Sequence, residues 1–223
     1  MKPPAAPKPQ ATKLEPLQTK VVVDKVERNP TKSVPVNDRA EAHFRRAAQL
    51  LGQGRVSEAE SELGGALKAD PSHARARQAY VALLLEQQRV NHAMGLLREA
   101  VDANPAQPTF ALALARVYAE QRDYRASLDV MDKAGAAGEG ADFLALRGAV
   151  LQRLGRHAEA VGAYEKAVQN APHVGGNWAG LGISLEALKR DGEAAQAYKR
   201  ALGAEPLAPE LREYAQARIK ALR

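Results

Sequence analysis

A chain of 223 residues with a formal charge of +6, 4% aromatic residues and no cysteine is long enough for a substantial buried core. It has no thiol for a disulfide, a thiolate metal site or a cysteine nucleophile. Half of the positive excess sits in residues 1–38, with seven Lys/Arg against four Asp/Glu, so the remaining body is only mildly basic. With so few aromatic rings for stacking bases, nucleic acid is not an expected partner. The abundance of alanine, leucine, arginine and glutamate points instead to an all-helical protein packed through small side chains.

Residues 1–38 carry seven of the thirteen prolines and show no sustained helical period. They read as a disordered, Pro/Lys-rich linker, with Val21, Val22, Val23 and Val26 as its one apolar run. Met1-Lys2-Pro3-Pro4 leads into proline rather than an apolar stretch, so no signal peptide is expected there. No stretch of the chain is long and apolar enough to suggest a transmembrane span.

From Ala40 onward the sequence repeats itself. GRVSEAESELGGALKADP at 54–71 and GRHAEAVGAYEKAVQNAP at 155–172 share Gly, Glu-Ala, a bulky residue, Ala and a closing Pro at equal offsets. A period of 34 residues divides the chain into units 40–73, 74–107, 108–140, 141–174 and 175–208, the third shorter by one residue. Ala59, Ala93, Ala160 and Ala194 share one small position, filled by Ser127 in the third unit; Ala66, Ala100, Ala134, Ala167 and Ala201 share another. Pro71, Pro105, Pro172 and Pro206 close four of the units. The third ends in KAGAAGEGADF instead, where three glycines predict a short, soft joint.

This pattern predicts two antiparallel helices per unit. Small residues at Ala47, Ala115, Gly148 and Gly182 let the second helix lie close to the first. Leu50, Leu84, Tyr118, Leu151 and Leu185 on the first helix, with Leu63, Leu97, Met131, Tyr164 and Tyr198 on the second, fill the gaps. One hairpin cannot bury its apolar face alone, so neighbours must stack. PELREYAQARIKALR at 209–223 places Leu211, Tyr214, Ala215, Ile219 and Leu222 on one face and reads as a capping helix.

The glycine-rich run GGNWAGLG at 175–182 lacks the strand-to-helix context and the Lys-Ser/Thr of a phosphate loop. Gly182 is expected at a close helix contact, Gly175 and Gly176 in a turn, and Trp178 in the core. The histidines at 43, 73, 92, 157 and 173 are scattered and read as solvated surface groups; none makes a metal-binding pair. Glu58, Glu60 and Glu62 read as a solvated face, and Ser184 sits on an expected helix rather than a nucleophile elbow. No catalytic, cofactor or metal constellation emerges, so the expectation is a non-enzyme.

On Trp178, Leu181, Gly182, Leu185, Ala194, Tyr198, Ala201 and Pro206, with the eroded matches in the other units, residues 40–208 resemble the tetratricopeptide repeat family. The resemblance implies a right-handed α-solenoid of five repeats plus a capping helix over residues 39–223. It also implies a protein–protein scaffold that binds a partner peptide or helix in its concave groove. The first helix of each repeat would line that groove. The residues there are Phe44, Arg45, Ala48 and Leu51; Arg75, Gln78, Ala82 and Leu85; Leu112, Arg116 and Glu120; Leu146, Ala149 and Arg153; and Ile183 and Glu186. They form an alanine-floored apolar surface with arginines around it. Chaperone-binding members of the family clamp a terminal carboxylate with Lys and Asn, and the presence of Phe44, Ala48 and Ala79 at those places argues against that specialisation.

The order of Pro/Lys-rich linker, VVVDKVERNP, five repeats, GNWAGLGISLEALKRDGEAAQAYKRAL and ELREYAQARIKAL is similar to MSHA-type pilus biogenesis proteins. This second resemblance implies a partner in a type IV pilus or secretion assembly and a place on the periplasmic side of a bacterial inner membrane. It further implies an N-terminal anchor that these residues do not include. The alternative is a soluble cytoplasmic adaptor of an unrelated pathway.

Overall fold

The computed structural model describes residues 36–105 and 107–222; the expectations for residues 1–35 lie outside the described residues. The described residues form eleven α-helices and one short 3-10 turn, with no strand among them. They fall into two units, the described parts of 12–103 and of 104–223.

The first unit contains α1 (Val36–Gly52), α2 (Val56–Ala69), α3 (Ala74–Glu86) and α4 (Val90–Ala103). Helix α1 begins four residues ahead of the first repeat's expected start. The second unit contains α5 (Pro108–Glu120), α6 (Tyr124–Ala134), α7 (Ala141–Arg153), α8 (His157–Asn170), α9 (Gly175–Ala187), α10 (Asp191–Leu202) and α11 (Pro209–Ala221). In both units consecutive helices pack as antiparallel hairpins, and in the second unit α9 also contacts α7 and α11.

All five hairpin turns close in one way. The amides of Arg55, Arg89, Asp123, Arg156 and Arg190 donate to the carbonyls of Leu50, Leu84, Tyr118, Leu151 and Leu185 at 2.8–3.0 Å. This is the six-to-one bond of a Schellman motif, and it needs a left-handed residue just before the donor. Gly54 and Gly155 supply it at φ +73° and +74°, while Gln88, Arg122 and Lys189 adopt φ +59° to +64° at a steric cost. Lys189→Gly is therefore expected to stabilise the protein by about 0.5–1 kcal/mol, and Gly155→Ala to destabilise it by about 1 kcal/mol, read from urea midpoints.

The repeat positions account for the core. Ala47, Ala59, Ala66, Ala115, Ala160, Ala167, Ala194 and Ala201 are all fully buried, and Leu63, Leu84, Leu97, Met131, Leu151 and Tyr198 fill the space between them. Each large side chain buried in this way contributes about 1.5–3 kcal/mol of burial free energy. Where alanine is usual, the buried Ser127 satisfies its hydroxyl by donating to the carbonyl of Ala115 at 2.7 Å. The third hairpin ends early: α6 stops at Ala134, Gly135 turns to φ +55°, and a 3-10 turn spans Gly135–Gly138. The Asn170 side-chain amide ties this turn down by donating to the carbonyl of Glu139 at 2.6 Å.

Two expectations about residues 175–182 need correction. Gly175 and Gly176 are the first residues of α9 rather than turn residues, because Pro172–Val174 already make the turn. Gly175 has no room for a side chain, since a Cβ there would meet the carbonyl of Ala204 at 2.6 Å. Trp178 is half-buried rather than a core anchor: its indole N–H donates to the carbonyl of Pro172 at 2.8 Å and Arg200 lies 4.7 Å over its ring. Gly182 does face its partner closely, with an added Cβ only 2.6 Å from the ring of Tyr198.

Candidate functional site

In the unit 12–103, the expected groove residues lie along α1 and α3, and their charges converge on Glu41. Arg45 Nε donates to its carboxylate at 3.2 Å, His73 Nε2 lies at 3.1 Å and Arg75 Nη1 at 3.6 Å. Partial burial works against ionisation of Glu41, but the hydrogen bonds from His73 and Arg45 and the charges of Arg75 and Arg45 hold its pKa below the ordinary value. Phe44 is only 2% exposed, capped by Arg75 at 4.7 Å and by the His73 ring at 5.4 Å, so it supports the wall rather than forming its surface. Ala48, Gln78, Ala82 and Leu85 are half-buried, and Leu51 is exposed.

His73 also corrects the reading of the histidines as solvated. Its Nδ1 accepts from the amide of Ala76 at 3.1 Å and so caps α3; Nε2 therefore carries the proton directed at Glu41. His43 Nδ1 similarly contacts Glu62 at 2.6 Å. Two of the three glutamates of α2 are likewise not a merely solvated face. Glu60 pairs with Arg89 and Glu62 with Arg46, because the packing of the hairpins brings those arginines beside them, whereas Glu58 stays exposed and pairs only with Arg55, three residues before it.

In the unit 104–223, the structure brings Arg116 and Glu120 of α5 together with Leu146, Ala149 and Arg153 of α7 around a small groove open to solvent. Ala119, Tyr124 and Val150 complete its lining. These three went unnoticed in the sequence. Val150 and Ala119 read simply as core spacing, and Tyr124 opens the second helix of its hairpin, where no inward-facing residue is expected. Desolvation along the groove wall raises the carboxyl pKa of Glu120, opposed by the charge of Arg116. Arg116 and Arg153 make no ion pair among the described residues, whereas Arg147, Arg156, Arg190, Arg212 and Arg218 of the same unit all do. The groove thus combines an apolar floor with two guanidinium groups outside any ion pair among the described residues, Arg116 being partly offset by the nearby Glu120; the arrangement can hold an acidic, partly apolar chain segment.

Three other expected groove residues lie elsewhere. Leu112 is half-buried outside the groove lining, and Ile183 packs against the core. Glu186 turns to the capping helix. Its carboxylate accepts from the Tyr198 hydroxyl at 2.9 Å and is gripped by the Arg218 guanidinium, both ionic side chains being nearly buried.

Two family models described as tetratricopeptide repeat match residues 50–99 and 112–174, together just over half of the chain. The chain belongs to the tetratricopeptide repeat family. Solved structures of tetratricopeptide-like proteins share its fold. MamA is 21% identical with a TM-score of 0.64, the match covering 77% of this chain and 99% of that one. YrrB, titled a TPR protein with an unusual peptide-binding site, is 15% identical with a TM-score of 0.65, over 79% and 92%. A thermophilic TPR protein of Thermus thermophilus is 22% identical with a TM-score of 0.54, over 81% and 99%. No curated protein matches the chain. Among the described residues of this tetratricopeptide chain, no helix is long and apolar enough to cross a membrane, and no cluster of His, Asp or Glu is arranged to hold a metal ion.

Proposed function

We infer that this tetratricopeptide protein is a non-catalytic scaffold that binds a partner peptide or helix along the inner helices of its repeats. The observation that carries this reading is the α5–α7 groove, where Arg116 and Arg153 stand without an ion pair beside the apolar floor of Ala119, Leu146 and Ala149. The partner's chemistry follows from the lining. A small or aliphatic side chain seats on the alanines, and an acidic residue near it meets the two arginines. In the unit 12–103, Arg45 and Arg75 are already held by Glu41 and offer less to a partner anion.

A peptide-display selection on the full chain tests this reading. Selected peptides are expected to pair an aliphatic with an acidic residue, and the double substitution Arg116→Glu with Arg153→Glu to weaken them more than tenfold. Equal binding by the charge-reversed protein would remove the groove assignment.

The finer reading, a part in type IV pilus or secretion assembly on the periplasmic side of an inner membrane, is supported only by the similarity of the linker order and of residues 176–222 to pilus biogenesis proteins. None of the relatives named above carries such a title. The alternative reading is an adaptor in the cytoplasm. Fractionating the native protein, followed by crosslinking through a photoreactive residue at position 149, separates the two. Adducts with pilus or secretion components in the membrane fraction support the first reading, and adducts confined to soluble cytoplasmic proteins support the second.

A further inference from the structure

A second recess lies within the unit 104–223, on the side of the second helices. Helices α8 and α10 each follow an inner helix in successive hairpins and so run in the same direction, with α9 behind them. Between them lies a trough that is wide open to solvent. Its floor is apolar, made by Val168, Leu181 and Leu185. Its rim carries the amides of Gln169 and Gln196 and the guanidinium of Arg200, and Trp178 forms part of its wall, one face of its indole lying under Arg200 at 4.7 Å. Glu165 stands on the rim, outside any ion pair among the described residues but within the field of Arg190, which holds Glu193 at 2.7 Å.

This lining matches one kind of ligand. A proline-rich segment has carbonyl acceptors but few N–H donors, so it is best met by donors, and Gln169, Gln196 and Arg200 are donors. Proline rings pack in aromatic-lined grooves, and the part of Trp178 left uncovered by Arg200 supplies the aromatic surface. Glu165 offers a negative charge for one lysine. The chain contains such a segment: KPPAAPKP, residues 2–9, has four prolines and two lysines and lies outside the described residues. We propose that the trough between α8 and α10 is a binding site for this Pro/Lys segment, with the prolines on Trp178 and a lysine on Glu165. The site is separate from the α5–α7 groove and does not depend on it.

Trp178 is the single tryptophan of the protein, so its fluorescence reports the trough directly. Acrylamide quenching of the full chain is compared with that of a chain lacking residues 2–9, and synthetic KPPAAPKP is titrated into the latter. The shortened chain is expected to be at least twofold more quenchable, and the peptide to restore protection saturably. Glu165→Lys in the shortened chain is expected to weaken the peptide about three- to fivefold, as loss and reversal of one exposed charge pair allows. A peptide with its prolines changed to alanine should not protect. Arg116→Glu with Arg153→Glu should leave the effect unchanged, which separates it from groove binding. Identical quenching with and without residues 2–9 and no response to the peptide would overturn the proposal; so would peptide binding indifferent to both Glu165→Lys and loss of the prolines.

Discussion

Arg77→Ala is expected to destabilise the unit 12–103 by about 3 kcal/mol, from the lost hydrogen bonds of an enclosed guanidinium to two backbone carbonyls and from the void its stem leaves; its ionic partner Glu99 is exposed and adds little. The Arg77 side chain is almost entirely enclosed. One terminal nitrogen donates to the carbonyl of Leu96 at 2.7 Å and to Glu99 at 3.2 Å; the other donates to the carbonyl of Pro71 at 2.7 Å. It joins the turn before α3 to the middle of α4. Truncation removes this donor from two part-buried carbonyls and leaves a void along α3. Amides of α3 and α4 that exchange only through opening of the unit should then exchange more than a hundredfold faster. Arg77→Lys should recover less than half of the loss, because an ammonium cannot reproduce the fork that reaches both carbonyls. Exchange rates unchanged in Arg77→Ala would show that the turn holds without it.

The second large effect is expected at Gly180. The ring of Tyr164 is buried between α7 and α9, facing Gly148 on one and Gly180 on the other; a Cβ at Gly148 would come within 2.7 Å of it and one at Gly180 closer still. The Tyr164 hydroxyl donates to Gln152, and the Gln152 amide in turn donates to the Gly180 carbonyl and to Ser184, both at 2.7 Å. Burial pushes the phenol pKa up, so the hydroxyl stays a neutral donor. Gly180→Val should cost about 3 kcal/mol by overpacking and by displacing this polar chain. Tyr164→Ala should cost a similar amount by leaving a cavity. Combined, they should cost less than their sum by about 1 kcal/mol or more, because the added methyls then occupy space the ring has left. Strict additivity in urea unfolding would mean that ring and glycine do not oppose each other.

The hairpins were legible in the sequence because period and residue size act locally: alanine at 59, 66, 160 and 167 leaves room for only one helix arrangement, and the glycine turn recurs at Gly54 and Gly155. The 34-residue spacing led to the tetratricopeptide fold without any contact being seen. By the same local reading Arg77, Arg116 and Arg153 are alike, each a cation on an inner helix.

Only the tertiary structure separates them. Arg77 meets backbone carbonyls from a preceding turn and a following helix, six and nineteen residues away, and becomes structural. Arg116 and Arg153 line one groove from α5 and α7 and make no ion pair among the described residues. Glu186 shares the inner-helix pattern yet faces Arg218, thirty-two residues on, which only the docking of α11 brings near. Trp178 fits the family's core position and still opens onto a trough, because its exposure depends on the gap between α8 and α10. Helical period determines which face a side chain occupies; what lies across from that face depends on how neighbouring helices pack, and no local spacing encodes it.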